Sequence, residues 1–233
     1  MFSPTLLTVV LLATTPGAST GEPAADTCDE VLEIAAKLHP ALRAGEVEIC
    51  GCARFAGYRT KLVVKGGDTP VEDFVGPGGA FIKPIVQALD GEVIDIVPED
   101  PDPARAVTLA LAPARLVRIY LDEEAYAMDL VVVDEDLDKA RGPEGQHLQL
   151  VSNLTGWTLA VYTETRDEEM RQQARATFGQ VLGLDEAQID SLVAWGFLDL
   201  QTIAAADSTE LASILGYSPE QVRALQARAA QKP

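Results

Sequence analysis

GPEGQHLQLVSNLTGWTLAVY, from Gly142 to Tyr162, is the stretch on which the fold turns. A Gly-bounded loop leads into a short amphipathic helix, a turn follows at Thr155-Gly156, and Trp157 opens a strand. A second copy lies upstream, GPGGAFIKPIVQALDGEVIDIV, from Gly76 to Val97. Both begin Gly-Pro-x-Gly, at Gly76 to Gly79 and Gly142 to Gly145. Both then place apolar residues at helical spacing, Ile82, Ile85, Val86 and Leu89 in one and Leu148, Val151 and Leu154 in the other. Each copy closes on a Gly and an apolar strand. The loops are 66 residues apart and the helix-ending Leu89 and Leu154 are 65 apart, which fits one extra residue in the first copy. Self-similarity at this period means a tandem domain.

Outward from the two copies the flanks repeat as well. Val31, Ile34, Ala35 and Leu38 give Asp29 to Leu42 a helical period, broken at His39-Pro40 and ended by Gly45. Val47 to Ala53 and Tyr58 to Lys65 alternate as strands around a turn at Phe55-Ala56-Gly57. Pro70 to Val75 reads as a short helix. Pro84 makes the helix after the first loop short or kinked. Glu92 to Val97 is a strand, and Pro98 to Pro103 a linker. The second unit follows suit: a helix at Asp102 to Leu111, strands at Leu116 to Leu121 and Met128 to Val133, a short acidic helix at Asp134 to Lys139, then the loop, helix and strand. Each unit is thus a three-stranded α+β sandwich with helices on one face. After Thr165 only helices are expected, at Glu168 to Val181, Asp185 to Ala194, Asp199 to Ala206, Ser208 to Leu215 and Pro219 to Ala230, with Asp207 and Ser218 in N-cap positions.

The 233 residues carry a net charge of −18 and are 47% hydrophobic, which predicts folded domains and argues against a broad basic footprint for nucleic acid. Three cysteines, Cys28, Cys50 and Cys52, do not make a disulfide framework; Cys50 and Cys52, two apart in a strand, read as buried small residues on one face. Zinc lacks ligands, since only His39 and His147 accompany them. Met1 to Gly21, with its apolar run Leu6 to Ala13, reads as a secretory-type leader without a basic n-region or as a non-native start, and Glu22 to Thr27 as a linker.

A Gly-x-x-Gly loop between short helices lets the backbone turn sharply and approach a phosphate. RTKLVV (Arg59 to Val64), FVGPGGAFIKPIVQALDGEVIDIV, ALAPARLVRIYLDEE (Ala110 to Glu124) and GPEGQHLQLVSNLTGWTLAV follow one another in the order found in the tandem KH region of the NusA family. From Asp29 to Tyr162 the chain resembles that family. ILGYSPEQVRALQARA (Ile214 to Ala229) resembles its acidic helix-hairpin-helix repeats. The resemblance implies two tandem type II KH domains, at 29–99 and 100–165, then a helix-hairpin-helix domain at 166–233, after a leader and linker at 1–28. No counterpart of the family's polymerase-binding or OB-fold domain is found in the sequence.

The same resemblance implies a transcription elongation, termination or antitermination factor that binds single-stranded RNA through Gly76, Pro77, Gly78, Gly79 and Gly142, Pro143, Glu144, Gly145, Gln146, with Arg59, Lys83 and Arg141 as the nearby cations. It implies contact with RNA polymerase or other transcription proteins through the acidic tail. Phe81 and Pro143 stand where the family usually carries a basic residue, and losing about two phosphate contacts flattens the salt dependence. The alternative is a protein-interaction scaffold with degenerate KH folds that has lost RNA binding. Asp134 to Asp138 reads as a solvated acidic helix start, His147 as a helix-surface residue, and Trp157 and Trp195 as core. No nucleophile–base pair or Walker loop appears, so a non-enzyme without cofactor or metal is expected. It is expected as a monomer off the membrane and in the cytoplasm, with export as the alternative if the leader is a working signal.

Overall fold

The computed structural model describes residues 26–66 and 70–231. The leader and all but the last residues of the following linker lie outside them. By their contacts the described residues form two compact units, one of 26–114 and 138–157, the other of 115–137 and 158–231. The second repeat is therefore divided between the units.

The first repeat opens with α1 (Asp26–Leu38) and α2 (Pro40–Ala44). Pro40 has no N–H with which to continue α1, so the chain breaks at His39 and restarts. The His39 imidazole caps the restart: its Nδ1 accepts from the Leu42 N–H at 3.2 Å, while its Nε2 lies 2.6 Å from the Phe74 carbonyl. Next come β1 (Glu48–Phe55), β2 (Arg59–Lys65), α3 (Pro70–Val75), α4 (Lys83–Ala88) and β3 (Val93–Pro98). Pro84 lies in the first turn of α4, where its missing N–H costs nothing, so it starts the helix without kinking it. β1 pairs antiparallel with β2, and β2 parallel with β3, Arg59 standing opposite Val93.

The second repeat runs α5 (Pro103–Leu111), β4 (Leu116–Asp122), β5 (Ala127–Val132), α6 (Leu137–Arg141), α7 (Gln146–Thr155) and β6 (Thr158–Thr163). Its sheet has the same mixed pairing, with Ala127 opposite Thr158. Even the irregularities recur: a β-bulge interrupts β1 between Ile49 and Gly51, and β4 between Leu116 and Arg118. The chain is α+β, two tandem KH domains followed by a helical region.

The first bulge overturns the reading of the cysteines. An extra residue at Cys50 reverses the alternation, so Cys50 and Cys52 do not share a face. Cys52 turns to α1 and is joined to Cys28 in a disulfide, whereas Cys50 is an exposed free thiol. The helices of the first repeat lie on one face of its sheet, and a helix of the second repeat covers the other. Val31 and Ala35 of α1, Phe74 of α3 and Ile85 of α4 bury Leu62 and Val64 on one side of the first sheet. On the other side α7 packs on β1 and β2. Gly51 faces that side: a Cβ on it would crowd the Val63 side chain at 3.1 Å and reach ordinary contact with a Leu154 methyl at 3.7 Å. The close of β1 and the start of β3 are tied by a buried ion pair. Arg54 donates to both Glu92 oxygens, at 2.9 and 3.1 Å from Nε, and Gly57 N–H and the Thr60 hydroxyl complete the shell around that carboxylate.

In the other unit α8 (Glu164–Thr177) packs against β5 and β6, and its Asp167 is buried, bonded to Arg118 and to the Tyr120 hydroxyl of β4. A π-helical turn at Phe178–Leu182 leads to α9 (Glu186–Ala194), α10 (Leu200–Ala205), α11 (Ser208–Leu215) and α12 (Pro219–Ala230). Asp185, Asp199, Asp207 and Ser218 cap these four helices, each accepting a backbone N–H. Phe178, Leu182, Leu192, Ile203, Leu211 and Val222 form their core. Trp195 is not part of it: at 41% exposure it lies at the end of α9 with its face in solvent. Trp157 is only half-buried.

Candidate nucleic-acid interface

The two Gly loops have one backbone conformation. Gly76 (φ 73°, ψ 167°) and Gly142 (φ 69°, ψ 178°) open them, and Gly78 (φ 59°, ψ 23°) matches Glu144 (φ 51°, ψ 21°). Gly79 and Gly145 follow at φ 78° and 79°. The opening glycine has two reasons to be glycine. Its φ is left-handed, and a Cβ would lie 2.6 Å from Phe81 in the first loop or from His147 in the second. Each loop closes on itself, Gly79 N–H donating to Gly76 O and Gly145 N–H to Gly142 O.

The cations expected around the loops are differently placed. Lys83 is exposed but folds back, its ammonium donating to the Gly78 carbonyl at 2.8 Å, so its charge sits at the tip of the first loop. Arg141 is exposed directly before Gly142. Arg59 is turned to Asp95, 3.1 Å away, and its Nε is buried, so it presents no free guanidinium. Pro77, Gly78, Pro143 and Glu144 are exposed, while Gly76, Gly79, Gly142, Gly145 and Gln146 are half-buried. Both loops belong to the unit formed by 26–114 and 138–157.

Beside the first loop runs a groove of about 410 Å³ that sequence reasoning did not identify. It is lined mostly by apolar residues, Val71 and Val75 of α3, Ile82, then Ile94, Ile96 and Val97 of β3, and Leu109, Ala112 and Pro113, with Lys61 and Asp95 as its charged pair. β3 is an edge strand. Val93 N–H donates to Tyr58 O and Glu99 N–H to Val64 O, so the odd-numbered residues of this strand bond to β2. By the two-residue period Ile94 and Ile96 direct their N–H and C=O groups to the open edge, into the groove. The apolar pattern of α3 and β3 reads as core in the sequence, and only the sheet order reveals an edge. On the opposite flank of the loop a hollow beside Gly76 and Pro77 is lined by Glu46, Glu72 and Asp73, which repels a polyanion and leaves the groove side open to it.

Two residues read as surface, His147 and Asp136, are buried. His147 is 2% exposed, with its Nδ1 2.7 Å from the Lys139 carbonyl. Burial, and then the neighbouring Lys61 ammonium, hold its pKa below the ordinary imidazole value. Lys61 itself is buried and paired with Asp95 at 2.7 Å; burial lowers its pKa against the pull of that carboxylate. Of the acidic run, Asp134 and Glu135 are exposed, but Asp136 is fully buried and accepts from Arg115 N–H at 3.0 Å and Arg115 Nε at 2.7 Å. It anchors the entry to the helix. On β5, Asp129 is half-buried with its pKa pushed up to about 6 by burial. Among the described residues no three His, Cys, Asp or Glu side chains converge as a metal site, and no helix is long and apolar enough to cross a membrane.

Comparison with known proteins supplies the context for this geometry. Residues 28–99 match a NusA-like first KH domain, and residues 103–169 a NusA-like second KH domain. A transcription termination/antitermination protein NusA of Rickettsia conorii is 32% identical over 184 residues, covering 75% of this chain and 37% of the relative. The protein of that name from Halalkalibacterium halodurans is 35% identical over 155 residues, 65% of this chain and 41% of the relative. The chain spans less than half the length of these curated relatives.

Proposed function

This chain belongs to the NusA-like family of tandem KH proteins, and we propose that it is an RNA-binding transcription factor that takes single-stranded RNA on its two Gly-x-x-Gly loops. The observation that carries this reading is the groove at the first loop. A phosphate is held where the backbone turns without side chains, at Gly76 to Gly79. The adjoining base lies on Val71, Val75 and Ile82, and its polar edge meets the backbone groups of Ile94 and Ile96. This is how a KH fold reads unpaired nucleotides: the loop clamps the backbone while an apolar groove takes the bases. The second loop, with the same dihedral angles, takes a second stretch of the strand, and Arg141 supplies the charge beside it.

Binding is weak in this account, because the loops offer two cations, Lys83 and Arg141, and Glu144 stands at the tip of the second. The relatives' name, transcription termination/antitermination protein, supports the reading that this chain acts in termination or antitermination, and we assign that action to elongation. The helical region at 166–233 acts as a helix-hairpin-helix interaction module for RNA polymerase or another transcription protein, and no catalytic step is involved. We assign the chain as a monomer working in the cytoplasm.

Gly79→Asp together with Gly145→Asp tests the loops. Both positions tolerate the Asp backbone at modest cost, about 1 kcal/mol each, since Asp visits the left-handed region more readily than most residues. A Cβ at Gly145 meets nothing within 4 Å, and one at Gly79 meets the flexible Lys83 stem at 3.3 Å and an Ile82 methyl at an ordinary 3.8 Å. The double variant is expected to keep its circular dichroism spectrum and lose RNA binding in an anisotropy titration; unchanged affinity would overturn the assignment.

A further inference from the structure

The second Gly loop and the first sheet each bury a polar side-chain atom without a partner, which no pattern in the sequence announces. His147 occupies in the second repeat the place of Phe81 in the first, five residues after the opening glycine and packed against it. The apolar ring of Phe81 needs no partner, whereas a buried imidazole must satisfy two nitrogens. Nδ1 faces the Lys139 carbonyl at 2.7 Å, and a carbonyl can only accept, so Nδ1 carries the proton and Nε2 is a bare acceptor. That Nε2 is buried without a partner. Also buried without a partner, in the same unit, is a donor, Arg59 Nε–H at the start of β2. His147 lies within electrostatic reach of Arg59, Lys61 and Asp95, the groups that face it from β2 and β3. A lone donor and a lone acceptor, each costly to bury unmade, are complementary.

We propose that His147, as the Nδ1–H tautomer, accepts at Nε2 from one water that in turn takes the Arg59 Nε–H, and that this bridged contact positions the second Gly loop against the first sheet. His147 is here a positioning residue, not a contact to RNA. Asp95 holds the Arg59 fork through Nη1, 3.1 Å away, and also takes the Lys61 ammonium, so the contact ends in a cluster of two cations on one carboxylate. Protonation of His147 would put a third cation beside Arg59 and Lys61, and the ring therefore stays neutral. The functional consequence rests on the RNA reading above. Two loops held at a fixed spacing bind one strand with a high effective concentration, and a loosened spacing forfeits much of that gain.

Two measurements test this without assuming that RNA binds. Long-range ¹H–¹⁵N NMR on the full chain is expected to show a neutral His147 with the proton on Nδ1 at pH 7; an imidazolium or the Nε2–H tautomer there overturns the proposal. Spin labels at Gln87→Cys on α4 and Gln149→Cys on α7, in a Cys50→Ser background, report the spacing by double electron–electron resonance. His147→Phe is expected to broaden the distance distribution, and His147→Gln, whose amide oxygen can accept from the same water, to keep it narrow. A narrow distribution in the Phe variant, or equal broadening in both, also overturns it. With RNA, His147→Phe is expected to weaken binding of an oligonucleotide long enough for both loops about tenfold, and to leave one that fills only the first groove unchanged. If neither oligonucleotide binds the unaltered chain, the RNA reading fails while the tautomer and the distances still decide the positioning contact.

Discussion

Asp129 and Glu92 are two carboxylates of sheet strands or their approaches with opposite electrostatic fates, and they give opposite pH signatures. Burial alone raises Asp129 to about 6, above the ordinary carboxylate value of an unfolded chain. The folded state thus disfavours its charge at neutral pH, and that penalty disappears as the pH falls from above 6 to about 4. Asp129→Asn is expected to stabilise its unit by about 1–3 kcal/mol at pH 7.5 and by nothing at pH 4, read as thermal midpoints across that range. Burial likewise pushes the Glu92 carboxyl up, but Arg54, Thr60 and the Gly57 N–H outweigh it and hold it below the ordinary value. Its stabilisation is present above pH 4 and is lost as the pH falls through the depressed folded value. Glu92→Gln is expected to cost about 3 kcal/mol at pH 7, because it leaves the Arg54 guanidinium buried against a neutral amide. A variant as stable as the unaltered chain in urea titration would show the pair to be dispensable. Neither residue stands out in the sequence. Both fall inside runs that the sequence marks only as strands, and the packing around them decides their burial.

At the scale of elements the repeated Gly loops, the helices they open and the strands that follow were legible, because glycine, proline and apolar spacing act locally. Pro40 and Pro84 punctuate helices for the same local reason. What local reading missed came from pairing. The bulge in β1 inserts a residue that no periodicity announces, and with it Cys50 and Cys52 part company. The sheet order turns β3 into an edge and so creates the groove. The disulfide between Cys28 of α1 and Cys52 of β1 needs the helix to lie across the strand, a tertiary fact. Closing the 24-residue separation lowers the entropy of the unfolded chain and is worth about 3 kcal/mol. Reductant is expected to lower the thermal midpoint of the unaltered chain and to have no effect on a Cys28→Ala, Cys52→Ala variant. Equal midpoints with and without reductant in the unaltered chain would mean that the crosslink contributes nothing. The acidic helix start shows the same limit in small. Asp134 and Glu135 are solvated as their composition suggests, while Asp136 is drawn inward by Arg115, 21 positions away.

Taken whole, the molecule is a strong polyanion whose cations are largely spent on its own carboxylates. Arg54, Arg59, Lys61, Arg115, Arg118 and Arg175 are all in ion pairs. A protein of this kind gains little from counterion release, so under the proposed function its hold on RNA would come mainly from the groove and the backbone at Ile94 and Ile96. Net charge was legible in composition, but its partition into internal pairs and a few free groups was not, since it depends on which strands meet. The central claim, that the Gly loops and groove form a working RNA track, is met most directly by an anisotropy titration. Residues 26–233 are added to a labelled single-stranded RNA at several salt concentrations. The account predicts measurable binding at low salt whose log–log salt slope is shallow, about −1 to −2, as expected for two phosphate contacts by Lys83 and Arg141 on a single strand. Absence of binding at the lowest salt contradicts it, and so does a slope several units steeper, which would require a basic surface that these loops do not have.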